Sequence, residues 1–179
     1  MIYINDNIKN NIKNILSMNS TTSIAKKLLG HLITFNGLSG YIVETEAYLG
    51  VEDEACHSYK GHHSDKNNSM YLSAGTIYVY SIFGQNLLNI ITQDPNVPQG
   101  VLIRAIQPIE INQSMLENRN QHGYNISNGP GKLTQALGID KTINGTMINC
   151  NHLYLDSYEF NIPNNIISTN RIGIKNKGI

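Results

Sequence analysis

Cysteine is nearly absent. Cys56 and Cys150 are the only two, too few and too far apart for a disulfide framework or a Cys-x-x-Cys zinc site. That scarcity fits a reducing compartment, so the expected location is the cytoplasm. No run approaches the ~18 apolar residues of a membrane span, and the N-terminus lacks the basic and apolar regions of a secretory signal. No membrane partner is therefore expected. An excess of charge is missing too: thirteen Lys and Arg balance thirteen Asp and Glu, whereas many nucleic-acid binders gain affinity by releasing counterions at a basic surface. Neutrality leaves two readings open. Either the surface is mixed with no nucleic-acid partner, or charge is segregated. In the second case the five acids of residues 44–54 form a pocket, with Lys60, Lys66, Arg104 and Lys132 as a basic rim. The chain carries no internal repeat, and its bias to Asn, Ile and Lys implies no function by itself.

What remains reads as one domain over residues 1–179, since 40% hydrophobic content is ordinary for a globular chain of this length. Residues 5–17 place Ile8, Ile12, Ile15 and Leu16 at helical spacing. A second helix starts at the N-cap Ser20, turns Ile24, Ala25, Leu28 and Leu29 to one side, and stops at Gly30. His31 to Phe35 reads as a strand, Asn36-Gly37 as a hairpin turn, and Tyr41 onward as the returning strand. The polar stretch 59–75 reads as a loop. From Thr76, Tyr78, Tyr80 and Ile82 alternate with Ile77, Val79 and Phe83, which suits a central strand. Residues 87–92 and 101–106 read as two further strands around a turn containing two prolines. Residues 109–118 read as a helix, 119–128 as a mobile connection, and Pro130 to Gly138 as a last helix with proline in its first turn. Short pieces such as Leu153 to Leu155 are strand-like. The expected fold is α+β, a curved antiparallel β-sheet with flanking helices.

The chemistry concentrates between Tyr41 and Tyr59. Along a strand alternate side chains share a face, so Glu44, Glu46 and Tyr48 point the same way. Such a face is either solvated or lines a polar pocket. His57, Ser58 and a histidine pair, His62 and His63, follow. Adjacent loop histidines seldom converge on one ion, and no His-Glu-x-x-His or Cys-x-x-Cys accompanies them, so no metal is expected.

The run from Val43 to Gly50, then Glu52 to Ala55 and His57-Ser58, resembles the signature of the alkyladenine (3-methyladenine) DNA glycosylase family. Collinear blocks extend the resemblance over most of residues 25–140: Gly75 to Tyr80, Val101 to Ala105, Gly129 to Leu133, and Gln135 to Leu137. The resemblance implies a monofunctional DNA glycosylase. Such an enzyme flips alkylated, and in some cases deaminated or etheno, purines out of double-stranded DNA and hydrolyses the N-glycosidic bond. It implies no cofactor and a monomer. Glu46 matches the carboxylate that activates water, and otherwise is a solvated strand glutamate. Arg104 matches the arginine that helps hold that water, and otherwise is a structural ion-pair partner. Tyr48, His57 and Tyr80 match the rings that grip the flipped base; the alternatives are core tyrosines and a surface histidine. Asn89 matches a pocket asparagine that helps reject guanine. Phe83 matches the aromatic wedge of the minor groove, against a core aromatic at a strand end. Lys132 suits a phosphate contact at a helix N-terminus, against a solvated lysine.

The element Arg171-Ile172-Gly173-Ile174 resembles the family's Arg-hydrophobic-Gly motif, in which the carbonyl of Ile172 would be a third holder of the water. The chain ends at Ile179 without the Lys-Pro-x-Arg-Phe-Tyr segment that usually follows, so the sheet is expected to lack its last strand. Two rival readings accompany the glycosylase: a non-catalytic binder of damaged DNA, and a hydrolase of free nucleosides.

Overall fold

The computed structural model describes residues 15–16, 20–150 and 153–173. Most of the helix read over residues 5–17 lies outside them. Among the described residues six strands form one antiparallel sheet: β1 (His31–Phe35), β2 (Leu38–Tyr48), β3 (Ile77–Ile82), β4 (Gln85–Ile91), β5 (Gly100–Pro108) and β6 (Leu153–Phe160). Their order is β3-β4-β5-β2-β1-β6. The sheet curls into a half-barrel and is accompanied, among the described residues from Ser20 onward, by three helices, α1 (Thr21–Leu28), α2 (Gln113–Arg119) and α3 (Pro130–Leu137), an α+β fold as expected.

Local chemistry accounts for several boundaries. The Ser20 side chain accepts from the Ser23 N–H to open α1, and Gly30 at φ +86° turns the chain into β1. Asn36 and Gly37 both sit at positive φ, which gives the two-residue turn that pairs Phe35 with Leu38. Pro130 occupies the first turn of α3, and Gly138 ends it in the left-handed region. β6 pairs antiparallel with β1 and covers the sheet edge on that side.

Three readings are corrected. β3 is an edge strand, not a central one, because pairing order depends on contacts that are distant in sequence. Its outer side is partly covered by the 144–146 turn: Ile77 N donates to Thr146 O, Gly145 N to Ile77 O, and Val79 N to the Asn144 side chain. Phe83 does not continue the alternation, since it stands in the two-residue turn between Ile82 and Gln85. The 119–128 connection is pinned rather than loose. Arg119 donates to the carbonyls of Asn125 and Ile126, Ile126 is fully buried, and Ser127 bonds to Ile106.

The main core joins Ile24 and Leu28 of α1, Leu133, Ala136 and Leu137 of α3, and one face of the strands, including Ile33, Ile42, Ile77, Leu88 and Ile103. The opposite face of β3 and β4 contributes Tyr78 and Ile91 to a second cluster with Cys56 and Met70, against which Tyr48 and Tyr80 pack. One sheet thus separates a helix-covered core from an aromatic face under the 50–75 loop. Ile33→Ala removes a fully buried side chain and should cost about 3 kcal/mol in a urea melt; a loss under ~1 kcal/mol would mean the core repacks freely.

Candidate active site

The site begins with two irregularities in the β2–β5 ladder. The register shifts between Ile42 and Glu44 and again between Glu44 and Thr45, so Glu44 faces Ala105 while Thr45 faces Ile103. Arg104 is left without a direct partner across the pair. Bulges re-aim side chains, and here the guanidinium reaches over β2 to both acids. Its Nε donates to Glu44 Oε1 at 2.7 Å and its Nη1 to Glu46 Oε2 at 2.6 Å. Glu46 is buried, with 6% of its side chain exposed, against 43% for Glu44. Arg104 is therefore an internal counter-ion, which corrects its assignment to an outer basic rim. Burial works against its charge, but the two carboxylates outweigh this and raise its pKa.

The other Glu46 oxygen, Oε1, is buried and among the described residues has no hydrogen-bond partner. Arg171 Nε is 3.8 Å from it. The Tyr48 phenol acts on the same carboxylate closely enough to be perturbed by it: burial first, then Glu46, pushes the phenol well above its ordinary value. Among the described residues no hydrogen bond to Oε1 meets ordinary geometry, although the Tyr48 hydroxyl lies near enough to the carboxylate to have its pKa raised by it.

Beside Glu46, Tyr48 lines a narrow cavity of about 20 Å³ with His57, Tyr78, Tyr80 and Asn89. That is room for about one water molecule, so any larger ligand must part these walls to enter. The His57 and Tyr80 rings meet edge to face with centroids 4.4 Å apart, and His57 Nδ1 shares a 2.8 Å hydrogen bond with the Tyr78 hydroxyl. His57 keeps an exposed edge at the mouth of the cavity; partial burial, aided by His62, lowers its pKa, which favours the neutral imidazole. Burial and then the Glu46 charge push Tyr80 up to about 12. Burial likewise raises Tyr78. The walls of the cavity are thus uncharged rings. Asn89 is buried, its amide donating to the carbonyls of Tyr78 and Leu87. The three loop histidines do not converge: His63 bonds to Asn68 and stacks on Tyr71. Among the described residues no group of His, Cys, Asp and Glu could hold a metal, and no helix is long and apolar enough to cross a membrane.

Two openings flank Glu46 and the cavity. A groove of about 310 Å³ runs between α1 and residues 166–172 and is lined by Glu46, Arg104, Arg171 and Ile172. A trough of about 530 Å³ leads from His57, Tyr78 and Tyr80 past Lys66 and Lys141. Lys60 is exposed, with its ammonium over the Tyr59 ring. Phe83 projects from the tip of the β3–β4 hairpin at 96% exposure, which excludes the core alternative. Its φ of +49° is costly for a bulky residue, and no packing offsets that cost. Lys132 lies in the first turn of α3 and donates to Asn128. That helix start packs against the hairpin, where a Cβ on Gly131 would come within 2.8 Å of Gln85.

The structure therefore gathers Glu46, Arg104 and Ile172 on one side of Tyr48, and His57, Tyr80 and Asn89 on the other, with Phe83 and Lys132 set apart. Four contributors escaped the sequence reading. Tyr78 orients His57. Asn67 ties its loop through the carbonyls of His57 and His62. Asp53 and Arg171 form a pair beneath Tyr48. The alternation of Tyr78 with Tyr80, the acid run around Asp53 and the Arg-hydrophobic-Gly element were the available signals.

A family model described as methylpurine-DNA glycosylase (MPG) matches residues 16–179. A Staphylococcus haemolyticus (strain JCSC1435) protein provisionally named 3-methyladenine DNA glycosylase is 45% identical over 162 residues, 88% of this chain and 80% of its own. A Staphylococcus aureus (strain JH9) protein with the same provisional name is 44% identical over 164 residues, 89% and 81% of the two chains. Matches of this extent, on a curled sheet carrying a buried carboxylate beside an aromatic cavity, place the chain among the DNA N-glycosylases, hydrolases of N-glycosidic bonds. It belongs to the methylpurine-DNA glycosylase family.

Proposed function

We propose that this chain acts as a monomeric, monofunctional glycosylase. It flips alkylated purines such as 3-methyladenine, and also hypoxanthine and ethenoadenine, out of duplex DNA and hydrolyses the bond to C1′. One observation carries the reading: Glu46 is buried beside a cavity of uncharged rings, with one oxygen held by Arg104 and the other unpartnered among the described residues. A solvated strand glutamate needs no such counter-ion. In this account Oε1 of Glu46 accepts the proton of a water aimed at C1′ as positive charge develops on the sugar. Arg104 fixes the carboxylate, and the backbone carbonyl of Ile172 helps hold the water. Tyr48, His57 and Tyr80 grip the base, repaying stacking lost on flipping, and Asn89 helps reject guanine. Phe83 fills the gap in the duplex and Lys132 meets a phosphate. Among the described residues no lysine lines the aromatic cavity, and no Schiff base and no strand cleavage are proposed.

The reading is tested by offering the chain a duplex with one hypoxanthine, and the free nucleoside, across a salt series. Base release from duplex only, with binding that weakens steeply as salt rises, is expected. Comparable release from the nucleoside, or salt-independent binding, would argue against DNA as substrate.

Phe83 gives a prediction of opposite signs. Asn tolerates the left-handed backbone better than a bulky aromatic, so Phe83→Asn should leave stability equal or slightly higher. Affinity for a duplex with an abasic-site analogue should nevertheless fall about tenfold, because apolar wedges hold an unstacked step open. Unchanged affinity would remove Phe83 from the interface.

His57 gives a pH signature. A cationic lesion such as 7-methylguanine stacks well on neutral, electron-rich rings, and a protonated His57 would repel it. Because the His57 pKa lies below the ordinary 6.5, the ratio of 7-methylguanine to hypoxanthine release should stay level from about pH 8 to 6.5 and fall at lower pH. A ratio that already declines above pH 7 would show that His57 is not the neutral wall described.

A further inference from the structure

Arg171 makes three hydrogen bonds to two neighbours, Asp53 and Ala47. Its Nη1 donates to Asp53 Oδ1 at 2.6 Å, and its Nη2 donates to Asp53 Oδ2 at 2.5 Å and to the Ala47 carbonyl at 2.7 Å. Asp53 is itself fixed by the N–H groups of Leu49 and Ala55. With Nη1 held by Asp53 and Nη2 by Asp53 and the Ala47 carbonyl, the guanidinium lies against the Tyr48 ring at 4.8 Å, and its Nε stops 3.8 Å from Glu46 Oε1. That distance exceeds a hydrogen bond. An arginine so close to a buried carboxylate would ordinarily close on it, as Arg104 has closed on Oε2.

We propose that Asp53 and Arg171 form a positioning pair: Asp53 restrains Arg171 from capturing Glu46 Oε1, leaving that oxygen open to water while Arg171 supports Tyr48 and places Ile172. The proposal rests on Glu46 as the proposed base, and it assigns neither Asp53 nor Arg171 a contact with the reacting atoms. Two further observations support it. Arg171 anchors one end of the exposed stretch 162–170 to Asp53 beside the groove, as the Asn161 N–H to Gly30 O anchors the other. The ion pair itself is shielded, with 13% of the Arg171 and 4% of the Asp53 side chain exposed, so water competes little for it.

The pair predicts an unusual hierarchy. In Asp53→Asn the restraint is lost, Arg171 turns to Glu46, and the acceptor for water is blocked. In Asp53→Asn/Arg171→Met the capturing charge is gone as well, and part of the rate should return. Single-turnover release of hypoxanthine from duplex, with enzyme in excess, is compared for wild type, both variants and Glu46→Gln, alongside affinity for an abasic-analogue duplex. Expected is a loss of about 10² in rate for Asp53→Asn, the scale of a small misplacement at a reacting centre. Binding should be unchanged within about twofold, and the double variant should be faster than Asp53→Asn. A structural role alone would make the double variant as slow or slower. Wild-type rate in Asp53→Asn, or no recovery in the double variant, overturns the pair while Glu46→Gln remains inactive. Wild-type rate in Glu46→Gln overturns the reading of Glu46 instead. Should Asp53→Asn fail to fold, Asp53→Ser takes its place, again with and without Arg171→Met: slower release that Arg171→Met partly restores supports the pair, and a wild-type rate or no recovery overturns it.

Discussion

Arg104→Met should lower stability by about 3 kcal/mol and remove excision together. The methionine keeps much of the apolar stem but leaves the buried Glu46 without its 2.6 Å partner, and breaking a buried pair by removing one member typically costs ~3–5 kcal/mol. The low end applies, because Arg171 Nε at 3.8 Å leaves some compensating charge. The bond to Glu44 adds little, since 43% of that side chain is exposed and water screens the pair. For a chain of this length a Tm lower by ~6–12 °C follows. Arg104→Lys should not restore the rate, because an ammonium cannot span Glu44 and Glu46 with the planar fork that does so here. A Tm within ~2 °C of wild type for Arg104→Met would show that Glu46 is solvated, contrary to its burial.

Glu46→Gln should leave the fold nearly intact and slow base release by ~10²–10⁴, the usual contribution of a positioned general base. The amide is isosteric, and its oxygen can still accept from Arg104, so the surrounding packing has little reason to change. What it loses is the ability to take a proton. Affinity for lesion-containing DNA should persist, because the rings and the hairpin tip that would hold the nucleotide are untouched. Lesions with a poor leaving group, such as hypoxanthine, should show the larger loss. A cationic purine departs more readily and asks less of the base, so its loss should sit at the lower end of that range.

Local signals in the chain were strong where a single turn or cap decides the outcome. Asn36-Gly37, Ser20, Pro130 and Gly138 each act within a few residues of themselves, and the elements they bound fall where that chemistry puts them. Pairing order was not legible in this way. β3 reads as central because its alternation is clean, yet edge position is decided by β4 taking one side and the 144–146 turn the other. The same limit hid the site's geometry. Glu44, Glu46 and Arg104 were visible as types, but the register shifts that swing Arg104 across both acids arise only when β2 meets β5. Asp53 and Arg171 lie 118 positions apart, and no local pattern joins them. Phe83 failed for a different reason: it extends an alternating run by one residue too many, and Gly84 after it was the sign of a turn.

The most direct measurement is a single-turnover time course on a duplex carrying one hypoxanthine, with free base and strand length read from the same samples. The account predicts that the wild-type chain frees the base and leaves the strand whole until alkali is added, while Glu46→Gln binds the duplex and frees almost none. Equal release by the two proteins, or strand cleavage by the wild type without alkali, would contradict it.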